Sequence, residues 1–337
     1  MLLGLSDDQE FFRETTARFL NEHAPPAELR RLRDDPTGFE EKYWRAGADL
    51  GWTSLLVDEA HGGGTISGDG LADLAIVSYE FGRHAAPGPL IPINVAAAAL
   101  SQAGGHEVLA DVLSGDAIIT WAPFATGGVA RPVESADLAK LIVVGNVARA
   151  THGETVHETM GSIDLTRRFG VVRLDGLDDG AVLDVDTDRL QLIAIVLSCM
   201  ESVGAMQTAF EITVEWAFDR YSFGRPLASY QALKHRLADM KVWLEASHAI
   251  SGEAVAAVSA GRPEGAELAS AAKAYVGHYG SELMQECVQM HGGIGVTFEH
   301  DLHLFLRRVT LNRTLLGTPD EHCRRLAELV ARKEVRP

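Results

Sequence analysis

The chain reads as a mainly α protein with one small β domain set between two helical regions. Three observations carry that reading. Apolar residues recur at helical spacing through the first 115 residues and again from about residue 188 to the end. Between these regions lie short β-branched runs bounded by turn residues, the pattern of strands. The last region is interrupted twice by glycine-bearing breaks, each separating two long helices. The expected domains are therefore an all-α region over residues 1–115, a reduced β domain over 116–187 and a helical bundle over 188–337.

The first helix, expected over residues 6–24, opens on a capping box. Ser6 is the N-cap and Gln9 stands three residues on, with Asp7 and Asp8 in the first turn where negative charge suits the helix dipole. Phe12, Thr15, Phe19 and Leu20 follow at helical spacing. Further helices are expected near 39–50, 70–82 and 92–114, separated by turns such as His61-Gly62-Gly63-Gly64 and Pro87-Gly88-Pro89. Residues 117–121, 140–144 and 170–174 read as strands. Beyond residue 188 the helical period returns, and Leu233, Leu237, Met240 and Leu244 mark a stripe expected to be buried. Trp216 and Trp243 lie on helical stripes and are expected in core or interface.

Composition excludes several classes. Thirty basic against forty-seven acidic residues, a net charge of −17, argues against nucleic acid or an anionic membrane as partner. The three cysteines, Cys199, Cys287 and Cys323, are odd in number and far apart, which points away from a disulfide framework and toward a reducing cytoplasm. The acidic N-terminus lacks a basic segment followed by an apolar one, so no signal peptide is expected. No uninterrupted apolar run approaches a membrane span. No HExxH, paired CxxC, GxSxG elbow or Walker A loop occurs, and His300 and His303 lack further ligands, so no metal is expected.

The first break is Arg220-Tyr-Ser222-Phe223-Gly224-Arg-Pro-Leu227-Ala-Ser-Tyr230-Gln231. Arg220 falls at the end of the helix beginning near 188, and Gly224 and Pro226 stop that helix from continuing. The next helix begins near Ala228 and Ser229, so its free N–H groups and the positive end of its dipole lie beside Arg220. With Ser222 and Gln231 these groups make a charge-assisted site suited to a diphosphate. The same residues also read as a plain helix–helix turn with an arginine on the last carbonyls. The second break, Gln289-Met-His-Gly292-Gly293-Ile-Gly295, ends a helix expected near 266–290. A helix, not a strand, precedes these glycines, which rules out a Rossmann fingerprint and leaves a glycine C-cap as the plain alternative.

Taken together, an arginine followed by phenylalanine–glycine and a later glutamine, with the glutamine–glycine–glycine break downstream, resembles the flavin-binding signatures of the acyl-CoA dehydrogenase family. The resemblance covers about residues 5–335, specific in the last 130 and degraded in the middle. It implies that family's fold: an N-terminal α domain, a reduced central β domain and a C-terminal four-helix bundle that oligomerises. It also implies that Arg220, Ser222, Phe223, Leu227 and Gln231 contact the FAD diphosphate and ribose of a neighbouring subunit. Tyr230 falls where the family often has another polar contact. Gln289, Gly292 and Gly293 are implied against the adenosine-diphosphate half of that FAD, while His291 occupies a variable place and is given no chemistry.

Two pieces of the family's active site are missing from the sequence. The base of this chemistry is a carboxylate that takes the substrate's α-proton. Most of the family carries it as a glutamate just before a glycine–threonine pair, which here is Gly317-Thr318 preceded by Leu316. The other family position, on the helix before the second break, falls at about His278. Glu282 and Glu286 share that helix but lie out of register, and read as ordinary surface glutamates. Thr318, Pro319 and Glu321 have a sufficient reading as a helix N-terminus. The family also cradles the flavin ring with a threonine–glutamate–proline stretch, where this chain reads Thr120-Trp121-Ala122-Pro123. No catalytic residue is therefore assigned.

A chain that keeps the motifs serving a neighbour's FAD and loses its own flavin edge and base resembles one half of a hetero-oligomer. It is similar to a bacterial subgroup whose unlike subunits form α2β2 tetramers acting on steroid side-chain acyl-CoA thioesters. That resemblance implies a related partner subunit carrying the flavin ring, the base and most of the substrate, with electron-transfer flavoprotein as acceptor. Two other readings stay open at this point: a self-sufficient homo-oligomer with Glu282 or Glu286 as relocated base, and a flavin-free interaction subunit.

Overall fold

The computed structural model of the chain describes residues 4–151 and 156–334; the first three residues, on which part of the N-terminal reading rests, lie outside them. Six helices come first: α1 Asp7–His23, α2 Pro26–Arg31, α3 Glu41–Asp49, α4 Gly70–His84, α5 Leu90–Gln102 and α6 Leu109–Leu113. Seven strands follow: β1 Ile118–Ala122, β2 Val129–Glu134, β3 Ala139–Val144, β4 Val147–Ala150, β5 Val156–Met160, β6 Phe169–Arg173 and β7 Ala181–Val182. Then come α7 Thr187–Asp219, a hairpin of β8 Tyr221–Ser222 and β9 Arg225–Pro226, α8 Gln231–Ser259, α9 Gly265–His291, α10 Leu302–Thr314 and α11 Pro319–Glu334. The helix expected over 92–114 is two helices, because Gly104 and Gly105 at φ 100° and 95° turn the chain between α5 and α6.

The contacts divide the chain into two compact units, one of residues 5–77 and 86–194, the other of Ser78–Ala85 and the chain from Ile195 onward with Gly4. In the first unit, the capping box of α1 is present on both sides, with Ser6 and Gln9 each accepting from the other's backbone N–H. Gln9 also donates to the buried Asp73 at 2.9 Å, and Asp73 accepts the N–H of Ile66 and Ser67 at 2.7 and 2.9 Å. One carboxylate thus closes the loop entering α4. The strands form two small sheets, β1-β3-β4-β7 and β2-β6-β5, with β1–β3 the parallel pair and the other ladders antiparallel. Their shared core is built from small side chains: Ala122, Ala130, Val133, Ala136, Ile142, Val144 and Val172. Within it Arg167 and Glu134, both buried, form a bidentate pair that satisfies each charge.

In the second unit α9 is the central helix, packed by α8, α10 and α11. The end of α4 meets α7 backbone to backbone. A Cβ on Gly82 would lie 1.8 Å from the carbonyl oxygen of Glu201, and one on Gly204 would lie 2.0 Å from that of Tyr79. The Glu201 carboxylate accepts from Arg308 at 2.8 Å and from Asn312 at 2.7 Å, so a buried charge is both paired and hydrogen-bonded. Met240 and Leu244 are buried as expected, whereas Leu233 and Leu237 are only half-buried. Helical spacing reports which face a residue is on, not whether another element reaches far enough to cover it.

The sequence holds no uninterrupted apolar run of membrane length; by overall length and composition α7 would nonetheless be long and apolar enough to cross a membrane, and 83% of its most apolar window is buried inside the fold, the condition of a core helix.

Candidate functional site

All the candidate residues lie in the second unit, on the two breaks. The last turn of α7 closes with the Arg220 N–H donating to the Trp216 carbonyl at 2.9 Å. The chain then turns through the β8–β9 hairpin, whose tip is Phe223 at φ 50° and Gly224 at φ 80°. Two left-handed residues at a two-residue tip match the twist of a tight hairpin. Glycine adopts that conformation freely, but phenylalanine does so rarely and at a cost. Phe223 is nonetheless 96% exposed, so nothing packed around it within this chain explains the strain. The hairpin is closed below by the Leu227 N–H donating to the Arg220 carbonyl at 2.8 Å.

Ser222 and Tyr230 are joined. The Tyr230 hydroxyl donates to the Ser222 carbonyl at 2.7 Å, and the Arg225 guanidinium lies 3.9 Å from the centre of the Tyr230 ring. Tyr230 therefore serves the hairpin's own shape. Leu227 opens a short 3-10 turn, and Gln231, exposed, is the first residue of α8. Among the described residues no side chain caps α8, which leaves first-turn N–H groups at the positive end of its dipole without a side-chain partner there. Arg220 is exposed and makes no ion pair among the described residues.

The second break follows α9, with Gln289 exposed in its last turn. Gly292 takes φ 66° and ψ −142°, a conformation that only glycine adopts readily. Gly293 is different. It has no positive φ, and among the described residues, its chain neighbours aside, no atom lies within 4 Å of where its Cβ would stand, so none of them requires a glycine there. Gly224 and Gly292 are equally open. Exposed glycines with free space above them, together with an arginine that makes no ion pair among the described residues and two exposed amides, suit a group that must approach the backbone closely from outside.

Sequence reasoning missed what joins the breaks. Trp216, one turn before Arg220, stacks on His291 with ring centres 5.2 Å apart and planes 20° apart. The Arg220 guanidinium lies 5.9 Å from the centre of the same indole. The available signal was the spacing, since Trp216 and Arg220 at i and i+4 share a helix face and His291 adjoins Gly292.

The positions considered for a base carry none of its marks. Leu316 sits at φ 61° with its carbonyl 2.9 Å from His322 Nε2. His278 is exposed and meets Tyr279 edge-on. Glu286 pairs with Arg236 of α8 at 3.2 Å, and Glu282 is exposed, so neither carboxylate is set in a buried pocket facing a substrate. Thr318 and Glu321 form the capping box of α11, with the Thr318 N–H donating to Glu321 at 2.7 Å. In the first unit, Thr120 is buried and donates to the Glu134 carbonyl at 2.7 Å, while Trp121 and Ala122 are buried in their strand, so this stretch presents no free polar edge. His300 Nδ1 accepts the Leu302 N–H at 3.1 Å and His303 Nε2 donates to the Phe298 carbonyl at 3.2 Å; among the described residues no group of three or more His, Cys, Asp or Glu could hold a metal.

Comparison with known proteins bears on this arrangement. The family models for the acyl-CoA dehydrogenase N-terminal and C-terminal domains match residues 6–116 and 190–331. The chain is 32% identical to acyl-CoA dehydrogenase IpdE2 of Mycolicibacterium smegmatis, over 96% of this chain and 98% of that protein. Among solved structures, a variant of the Tcur3481–Tcur3483 steroid acyl-CoA dehydrogenase superposes with TM-score 0.88 at 24% identity, over 97% of this chain and 99% of that one. The ChsE4–ChsE5 complex from Mycobacterium tuberculosis does so with TM-score 0.87 at 21% identity, over 98% and 99%. These two likenesses show the fold. With both domain models matched and a full-length relative at this identity, the chain belongs to the acyl-CoA dehydrogenase family of FAD-dependent oxidoreductases.

Proposed function

We propose that this chain is one subunit of a hetero-oligomeric acyl-CoA dehydrogenase and supplies the ADP and diphosphate half of the FAD site to a related partner subunit. The observation that carries the proposal is the contrast between its two ends. Arg220 is exposed and makes no ion pair among the described residues, and Gly292 and Gly293 stand open, whereas Thr120, Trp121 and Ala122 are closed into their strand and Leu316 stands where most of the family has an acid. The residues present fit the diphosphate end of FAD. Arg220 would neutralise a phosphate, Gln231 and Gln289 would donate amide hydrogens, and the glycines would let the nucleotide reach backbone N–H groups. The chemistry that FAD supplies when bound is acceptance of the substrate's β-hydride. The base that removes the α-proton belongs to the partner in this reading, as does most of the acyl-CoA site.

The substrate class we favour is a steroid side-chain acyl-CoA, supported by the likeness to a structure described as a steroid acyl-CoA dehydrogenase and to a second that is a complex of two different chains. An α2β2 assembly, electron-transfer flavoprotein as acceptor and a cytoplasmic location complete the proposal; the three free cysteines support the last of these. The test is dehydrogenation of a steroid side-chain acyl-CoA by this chain alone, by a co-encoded dehydrogenase subunit alone, and by the two co-expressed. Turnover should appear with the pair. Turnover by this chain alone would overturn the proposal.

A further inference from the structure

Three rings from three segments meet between the breaks. Trp216 comes from the end of α7, His291 from the end of α9, and His300 from the segment that enters α10. Trp216 and His291 stack face to face, while His300 meets His291 edge-on with ring centres 4.5 Å apart and meets Trp216 edge-on at 6.2 Å. His291 is buried, and its Nδ1 donates to the Cys287 carbonyl at 2.8 Å, which fixes both tautomer and ring plane. Burial lowers its affinity for a proton, so the ring that faces the indole is neutral near neutral pH and does not repel the nearby guanidinium.

Packing alone is a poor reason for this choice of rings. Among the described residues Trp216 Nε1 and His291 Nε2 are buried with no hydrogen-bond partner, a penalty that phenylalanine or leucine at either position would avoid. A tryptophan face does offer something those residues offer less well or not at all: a resting place for a cation. The Arg220 guanidinium lies over it at 5.9 Å from the ring centre. An exposed arginine otherwise samples many rotamers, and binding an anion must freeze them.

Resting on the half-site reading above, we propose that Trp216 and His291 are positioning residues for FAD: His291 holds the indole in place by stacking on it, and the indole face pre-orients Arg220 toward the diphosphate. Neither ring needs to touch the cofactor.

The test is a double-mutant cycle on the complex of this chain with its partner subunit, read as FAD affinity by titrating the deflavinated complex with FAD. Trp216→Leu should weaken FAD at least roughly two- to fivefold, the size of a cation–π contact at an exposed site. Trp216→Phe, which keeps a ring face and volume close enough to fold, should recover part of the loss. The decisive readout is coupling with Arg220→Ala. If Trp216 acts through Arg220, the double variant binds FAD no more than about twofold worse than Arg220→Ala alone. A merely structural tryptophan gives losses that multiply, and that outcome overturns the proposal while leaving the half-site reading intact. So does a Trp216→Leu complex with parental affinity. If Arg220→Ala itself has no effect, the half-site reading fails and this inference falls with it.

Discussion

Arg220→Ala separates a cofactor contact from a structural cap because the two roles predict changes in different quantities. The guanidinium is exposed and without an ion pair among the described residues, and its close neighbour is the face of Trp216. Removing it from the folded chain loses at most an exposed cation–π contact, about 0.5–1 kcal/mol. A charge-assisted bond to a phosphate is larger, about 1.5–3 kcal/mol, which corresponds to roughly tenfold to 150-fold in affinity. The thermal midpoint of the complex should therefore move by only a few degrees, while its FAD dissociation constant rises by one to two decades. Both are read from one preparation, by scanning unfolding and by titrating the deflavinated complex with FAD. Unchanged FAD affinity would return Arg220 to the role of a helix terminus. A large loss of stability would contradict the exposure on which the argument rests.

Glu282→Gln and Glu286→Gln should each leave turnover of the complex within a few-fold of the parent, since a true base contributes about 10²–10⁴ in rate; a loss of that size with flavin retained would make this chain its own base carrier. Gly82→Ala and Gly204→Ala should each destabilise the chain by about 1–3 kcal/mol in denaturant unfolding, because the new methyl meets a backbone carbonyl that cannot rotate away. That loss comes despite the gain of about 1 kcal/mol that alanine brings to a helix. His248 is buried, and burial holds its pKa at about 4 against the ordinary 6.5. The unfolded chain takes up that proton first, so stability present above pH 6.5 declines as pH falls toward 4. The decline attributable to this group is about 3 kcal/mol at most and should be largely absent from His248→Gln.

What the sequence revealed was local, and what it concealed depended on distant partners. The capping boxes at Ser6 and Thr318 lie within a few residues and were legible because both halves of each are adjacent. The strands at 118–122, 139–144 and 169–173 carry β-branched runs and were legible too. Val129–Glu134 and Val147–Ala150 were not, because alanine, arginine and proline dilute the signal and the pairing partners, rather than the composition, make them strands. The candidate site shows the same division. Spacing located Arg220, Phe223 and the Gln289 break. It could not show that Tyr230 turns back on the Ser222 carbonyl, which depends on Phe223 adopting a left-handed conformation rare for a bulky residue. Nor could it show the Trp216–His291 stack, a contact made by tertiary packing between α7 and α9.

The measurement that bears most directly on the central claim is flavin content. This chain purified alone, and the same chain purified with its partner subunit, are each denatured and their released FAD quantified against protein. A chain that offers only the diphosphate half of the site should be nearly colourless alone, and the pair should carry close to one FAD for each two chains. A yellow lone chain with one FAD per chain would contradict the account, because the closed Thr120–Trp121–Ala122 stretch would then have to hold a flavin ring that this account assigns to the partner.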